Sequence, residues 1–376
     1  MWRACRYLGV GPWDACIRKS SPLTVTSAGS GVRWDQLNRA INASSAVPLV
    51  IVASGGAQVA ARWMARLHLA VFGHAATVIA PLEALSLTVP RDAAIWLVSQ
   101  GGSHPDILTA AAWAIAVAPL HVFGIVGRDG TPLARRIDEA GCLSCSLGTS
   151  AGADRFLSTN GAWAMLCALT KVHARDADVE LPADAILAWS RKAAGAIPAS
   201  ALREHLSVVA DPWTLLGADD LQIRSTEASL ASLWVTDLRN LGHGRRFWFA
   251  DRARETTCIF LPSPDYTPLK DWTRSGLPPE LAVVEVTARF DGMLAGLAAV
   301  AWAMHWADRP AQRRDRDRGR LGVPAFGECL YEGDFDYSAG AVLADRDEIA
   351  IARKLDVPAG RVRELLSLLK VRTTPP

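Results

Sequence analysis

The chain has 376 residues, half of them apolar and 21% charged, with a formal net charge of +2. This length and composition suit two globular domains with cores of their own and exclude a disordered chain. The near-neutral balance offers little attraction for nucleic acid or an anionic membrane, so neither is expected as a partner.

The first six residues, Met1-Trp2-Arg3-Ala4-Cys5-Arg6, lead into Gly and Pro rather than an apolar core, so no secretory signal is expected. Of the most apolar stretches, Ile107–Ile125 is broken by Pro119 and Met293–Trp306 is too short to span a bilayer. Both read as buried elements. The seven cysteines are odd in number and scattered, which fits free thiols in a reducing cytoplasm. Cys142-Leu143-Ser144-Cys145 has metal-ligand spacing but no second pair to complete a site. It reads as two core thiols on a short strand, and neither a metal nor another cofactor is expected.

Residues 1–40 read as an N-terminal extension. From Pro48 onward, apolar runs at 48–53, 76–80, 94–98, 120–126 and 142–146 alternate with helical stretches, notably Gln58–Val71 and Asp106–Val117, and Ser158–Ala174 closes the unit. Strand–helix alternation predicts parallel strands with helices on both faces, and near-continuous apolar strands predict a sheet buried on both sides. Residues 176–203, rich in Ala, Asp and Pro and with helical fragments, read as a connector between a first unit at 41–175 and a second at 204–330. In the second unit Leu206–Ala210, Thr256–Leu261 and Leu281–Val286 read as strands. Ala218–Trp234, Asp265–Ser275 and Phe290–Ala307 read as helices. The fold class expected is α/β, two tandem three-layer αβα units with parallel sheets, plus a small helical tail at 331–376. The mixed-sign run 308–319 reads as a solvated loop. The tail segment 347–363 has a helix, a turn and a second helix, read as a cap on the second unit rather than a DNA-reading head.

Two strands end in small polar, glycine-rich turns that open into helices. The first turn is Ser54-Gly55-Gly56-Ala57 and the second is Ser99-Gln100-Gly101-Gly102-Ser103. In an open parallel sheet, ligands bind beyond the carboxyl ends of the strands. Glycine permits close backbone approach, serine adds hydroxyl donors, and the helix N-terminus presents unpaired N–H groups. The pair of turns predicts one pocket for a small anionic or polyhydroxylated ligand. Tryptophans such as Trp96, Trp113, Trp163 and Trp302 fall at core positions, so sugar stacking is not assigned to them.

These turns resemble those of the double sugar-isomerase (SIS) domain family, which includes the isomerase half of glucosamine-fructose-6-phosphate aminotransferase. Ser54-Gly55-Gly56-Ala57 is similar to the family's first phosphosugar loop, and Val98-Ser99-Gln100-Gly101-Gly102-Ser103-His104-Pro105-Asp106 to its second. Val122–Asp138, with Gly130-Thr131-Pro132-Leu133-Ala134, resembles the following strand and turn, and Leu157-Ser158-Thr159-Asn160 stands where the family has Ser-Thr-Lys. The family also spaces a Glu and a His sixteen residues apart, as Glu227 and His243 are here, with Arg224 where the aminotransferases have Lys. Glu83 falls at an interface position of the family, where a structural role is expected.

The resemblance implies a homodimer that binds a sugar phosphate or related derivative in the cradle of Ser54, Gly55, Gly56, Ser99, Gln100, Gly102, Ser103 and His104. It implies Glu227 as proton shuttle in an aldose–ketose or amino-sugar isomerase or deaminase. It also implies His243 as ring-opening residue, reaching from the neighbouring subunit, and Arg224 as a nearby charge. A carboxylate with a raised pKa can take and return one proton, and an imidazole titrates near neutrality. Departures from the family point to the alternative, a non-catalytic sugar-derivative sensor or regulatory subunit. Ala57 and Gly101 lack two hydroxyl donors, His104 replaces a Thr, and no counterpart of the family's C-terminal Lys follows Gly322-Val323-Pro324-Ala325-Phe326-Gly327.

Overall fold

A computed structural model of the chain describes residues 33–87, 89–117, 119–148, 159–174, 181–197 and 201–313. The expected tail at 331–376, the half of the charge run after Arg313, the stretch Gly322–Gly327, residues 1–32, and Leu157 and Ser158 lie outside the described residues.

The first sheet is built from β1 (Leu49–Val52), β2 (Ala76–Ile79), β3 (Ala94–Ser99), β4 (His121–Val126) and β5 (Leu143–Ser146), all parallel, in the order β2-β1-β3-β4-β5. Its helices are α1 (Trp34–Ser44), α2 (Ala57–Phe72), α3 (Pro81–Ala84), α4 (Pro105–Val117), α5 (Pro132–Glu139) and α6 (Asn160–His173). Alternate strand residues feed two cores. Ile51, Trp96, Val98 and Ile125 face one side, while Val52, Ile95, Leu97 and Val126 face the other, as the two-residue period of a strand requires. Cys145 packs with the first set and Cys142 with the second, so the two thiols lie on opposite faces and cannot share a ligand. Burial pushes the Cys145 thiol up to about 12.

After α7 (Ala183–Ala196) comes a second parallel sheet of β6 (His205–Ala210), β7 (Ser232–Asp237), β8 (Thr256–Leu261) and β9 (Ala282–Glu285), in the order β7-β6-β8-β9. Its helices are α8 (Leu215–Glu227), α9 (Phe247–Arg252), α10 (Thr267–Ser275) and α11 (Gly292–Arg313). The architecture is therefore two α/β units with parallel sheets, as expected from the sequence.

The central α11 is buried on every side from Ala295 to Ala307, the pattern of a helix enclosed by protein. Leu297, Ala298, Val300, Ala301 and Met304 join the core of the first sheet, whereas Ala299, Trp302, Ala303 and Trp306 join that of the second. One helix thus fuses the cores of the two sheets. Close approach depends on a missing side chain at Gly217 of α8, where a Cβ would stand 2.4 Å from the Ala299 backbone.

Three expectations are corrected. The helix expected over Ala218–Trp234 stops at Glu227, and Ser232–Asp237 is the edge strand β7. A left-handed Ser229, with φ 51, and a Leu230 N–H donated to the Ser225 carbonyl at 2.8 Å close the helix in a Schellman turn. The extension ends in α1, whose buried Leu37 and Ile41 belong to the main core, as do Ile186 and Leu187 of α7, a helix in the connector where helical fragments were expected. The expected loop at 308–319 begins as helix, since α11 runs on to Arg313.

Candidate functional site

Strand order reverses between β1 and β3, so the loops after these two strands flank the crevice of the first sheet. Both are the glycine-rich turns singled out above. In the first, the Ala57 and Gln58 N–H groups donate to the Ser54 and Gly55 carbonyls at 3.3 and 3.0 Å, which starts α2 directly from the turn. Ser54 and Gly56 are half-buried and Gly55, with φ +54, is exposed.

The second loop is held more tightly. The Ser99 hydroxyl oxygen accepts the Gly102 N–H at 3.1 Å, which leaves its own proton available for a ligand. Gly102 has φ +61, and a Cβ there would meet the Thr131 hydroxyl at 2.6 Å, so only glycine fits. Its carbonyl accepts the Leu133 N–H at 2.8 Å, while Thr131 caps α5 by accepting the Ala134 N–H at 3.2 Å. The Thr131-Pro132 pair, a capping hydroxyl followed by proline in the first helical turn, is a readable start signal that the sequence reading left unused. Gly101 and Ser103 are exposed at the loop tip.

His104 has a different position from an open anion ligand. Its Nδ1 accepts the Asp106 N–H at 3.2 Å, so the imidazole caps α4. Asp106 Oδ2 lies 3.5 Å from the same nitrogen. An anion at this helix end would face a carboxylate in the first turn.

The second half reaches this crevice through α8. Arg224 is buried and its Nε donates to Asp220 Oδ2 at 2.6 Å, one helical turn back. Burial pushes the Asp220 carboxyl upward and the guanidinium opposes that shift. The Arg224 Nη1 also lies 3.5 Å from the Thr159 hydroxyl, at the start of α6. Two residues on, Gly161 lies under Gln100, whose Nε2 would be 1.9 Å from a Cβ at that position. Loop two, the first turn of α6 and α8 therefore form one chain of contacts, Gln100–Gly161–Thr159–Arg224. A second tie is the Arg62–Asp219 ion pair between α2 and α8 at 2.8 Å.

Glu227 stands one turn beyond Arg224, at the end of α8. The residue is accessible to solvent, yet surrounding protein atoms raise its carboxyl above the ordinary value; Arg224 opposes this rise and Asp220 adds to it. The carboxylate that Arg224 meets in a close ion pair is that of Asp220. The Asp220/Arg224 spacing of four residues was the sequence signal for that pair.

His243 is exposed in the turn after β7, its N–H donating to the Asn240 carbonyl at 3.0 Å. Glu227 precedes the six residues of β7 and His243 follows them. A strand of that length spans about 17–20 Å, so within one chain the two lie near opposite ends of the second sheet. Glu83, by contrast, closes the small α3, its carboxylate accepting the Ala80 N–H at 3.4 Å.

A cavity of ≈ 830 Å³ lies elsewhere, along the β7 edge, with Trp234, Trp248, Asp219 and Asp237 in its wall. Its charged and amide groups are already engaged. Gln222 and Arg245 donate to the outward carbonyls of Leu233 and Val235, and Asp237 accepts the Arg239 and Asn240 N–H groups. These side chains satisfy carbonyls of the edge strand that no neighbouring strand pairs.

No family model matches the sequence, and no curated protein matches it. Solved structures do share its fold. Glucosamine-6-phosphate deaminase from Thermotoga maritima aligns over 82% of this chain and 97% of its own, with TM-score 0.63 and 12% identity. Tagatose-6-phosphate ketose/aldose isomerase from Escherichia coli covers 81% and 93%, with TM-score 0.61 and 14% identity. The C-terminal domain of glucosamine-fructose-6-phosphate aminotransferase from Francisella tularensis covers 74% and 92%, with TM-score 0.52 and 16% identity. The fold of this chain is that of phosphosugar-isomerase-type structures.

Proposed function

We propose that the chain is a tandem SIS-domain protein that binds a phosphorylated sugar or related carbohydrate derivative in the crevice between Ser54-Gly55-Gly56 and Ser99–His104. The observation that carries this reading is the contact chain from Gln100 through Gly161 and Thr159 to Arg224. It ties the helix bearing Glu227 to one of the two loops at the crevice. In this reading the units are 41–175 and 204–330.

The reaction class is transfer of a proton between neighbouring carbons of an open-chain sugar, as in aldose–ketose or amino-sugar isomerisation or deamination. Glu227 is the group that moves the proton, and its raised carboxyl pKa suits a base that must also act as an acid. Ser99 and the loop N–H groups hold the anion. Arg224, buried against Asp220, orients α8 rather than touching substrate. The separation of His243 from Glu227 along β7 supports a ring-opening histidine supplied by a second copy, which makes the working form a homodimer. The reading uses no metal or cofactor. The described cysteines Cys142, Cys145, Cys167 and Cys258 are free thiols, which suits a cytoplasmic protein. Among the described residues no helix is long and apolar enough to cross a membrane.

One observation favours the sensor reading instead. His104 spends its Nδ1 on the helix cap, and Ala57 and Gly101 offer no hydroxyl, so the cradle is poor in side-chain donors. Two measurements decide. Thermal shift against sugar phosphates, amino sugars and nucleotide sugars identifies the ligand class. Solvent deuterium incorporation into the bound sugar then separates enzyme from sensor. Incorporation by the wild type that disappears in Glu227→Gln supports catalysis. Equal incorporation by both removes Glu227 from the mechanism, and none by either leaves the sensor.

A further inference from the structure

The second sheet has a crevice of its own. Its order β7-β6-β8-β9 repeats the order β2-β1-β3-β4 of the first, so its strand order reverses between β6 and β8. The flanking loops there are Asp211–Thr214, leading into α8, and Pro262–Pro264. Asp211 stands directly after β6, and Ser54 stands two residues after β1.

Asp211 is wholly buried. Its Oδ1 accepts the Trp213 N–H at 2.8 Å and the Thr214 N–H at 3.2 Å, both at the entrance to α8. Its Oδ2 accepts the Ser263 N–H from the opposite loop. The Thr214 hydroxyl completes the closure, accepting the Asp211 N–H at 3.1 Å and donating to the Leu261 carbonyl. One carboxylate therefore gathers backbone donors from both loops at a helix entrance, the donor set that an anion meets in such a crevice. Beside it the Ser263 hydroxyl oxygen, also wholly buried, has no hydrogen-bond partner among the described residues. Among the described residues the first turn of the other crevice, Ser54-Gly55-Gly56, carries no carboxylate of its own.

We infer that the second crevice is an anion site occupied by the protein's own Asp211 carboxylate, and that a small free carboxylate takes its place when that side chain is removed. Two consequences follow. The crevice that remains open to an outside ligand is the first one. Asp211 also fixes the entrance of α8 to the β8 loop and so positions the helix that carries Arg224 and Glu227 at its other end. The inference is independent of the proposed reaction.

The test is chemical rescue of Asp211→Ala with formate, which supplies the deleted carboxylate, at ionic strength held constant with chloride. Asp211→Ala is expected to melt several degrees below the wild type and to recover at least half of that loss as formate is added. Wild type and Asp211→Asn, where the site is filled, are expected to show no response to formate. If Asp211→Ala does not fold on expression, its refolding yield in formate against chloride is read instead, and a higher yield in formate is the expected result. The inference is overturned if formate gives no recovery of melting temperature or yield. It is equally overturned if formate stabilises wild type and Asp211→Asn as much as Asp211→Ala.

Discussion

Replacing Asp220 with Ala is the most direct probe of how the two halves are joined at the crevice. Arg224 and Asp220 side chains are 4% and 3% exposed and meet at 2.6 Å, so the guanidinium has almost no access to water once its partner is gone. Removing one member of a buried pair costs about 3–5 kcal/mol, because an uncompensated charge stays in the interior. At about 1.3 °C per kcal/mol for 376 residues, Asp220→Ala is expected to melt roughly 4–6 °C lower. Removing both charges is expected to be far less damaging. Asp220→Leu combined with Arg224→Met leaves no buried ion, and well-packed apolar replacements of such pairs are roughly neutral. The 3.5 Å contact to Thr159 is at the limit of a hydrogen bond, so its loss adds little. Urea unfolding followed by circular dichroism on Asp220→Leu, Arg224→Met and their double variant gives the coupling directly. A cost below about 1 kcal/mol for Asp220→Ala, or a double variant as damaged as the sum of the singles, would refute the buried-pair account.

Other perturbations separate function from stability. Gly161→Ala puts a methyl group into the position of the Gln100 amide, whose flexible end can swing aside. We expect ligand affinity to fall about tenfold, the worth of one hydrogen bond to a charged group, while the melting temperature changes little; titration calorimetry and a melt measure both. Glu227→Gln should abolish deuterium exchange and slightly stabilise the protein at neutral pH. A carboxyl whose folded pKa is raised binds its proton more tightly when folded, so ionising it above that pKa costs stability. The gain should vanish once pH falls below the ordinary carboxylate range; a gain that persists there contradicts the cause given. His173 works on the acid side. Burial lowers its pKa from 6.5 to about 4, with Nδ1–H donating to the Leu169 carbonyl at 2.8 Å. Between those values the unfolded chain holds the extra proton, so stability drops as pH falls from about 6.5 toward 4, by roughly 3 kcal/mol in all. His173→Leu should flatten that part of the stability–pH curve, and an unchanged slope assigns it to other groups.

The first sheet was legible because its strands are buried on both faces. Runs such as Leu49–Val52 and Ala94–Val98 carry no competing polar period, and glycine turns punctuate them. The β7 strand was hidden by its place at the edge. Only Thr236 among its six residues is buried, and the sequence Leu230–Trp234 continues the apolar spacing of the preceding helix, so nothing local marks the break at Ser229. The helix α1 was hidden for the opposite reason, since its apolar face gains meaning only from the distant core it joins. At the site, the two loops and the Glu227/His243 spacing were readable, because turn chemistry and spacing are local. The roles of Thr159, Gly161 and Asp211 were not. Each depends on partners dozens of residues away, and in the case of Asp211 the partner is the backbone of another loop, which has no sequence signature.

A crystal structure with a bound hexose phosphate would test the central claim. The account predicts the phosphate within hydrogen-bonding distance of the Ser99 hydroxyl and the N–H groups of the two glycine-rich loops, with the sugar carbons directed toward Glu227. A ligand seated in the β7 groove would contradict it. So would a Glu227 carboxylate more than about 11 Å, two helical turns, from both Ser54 and Ser99 in every subunit present.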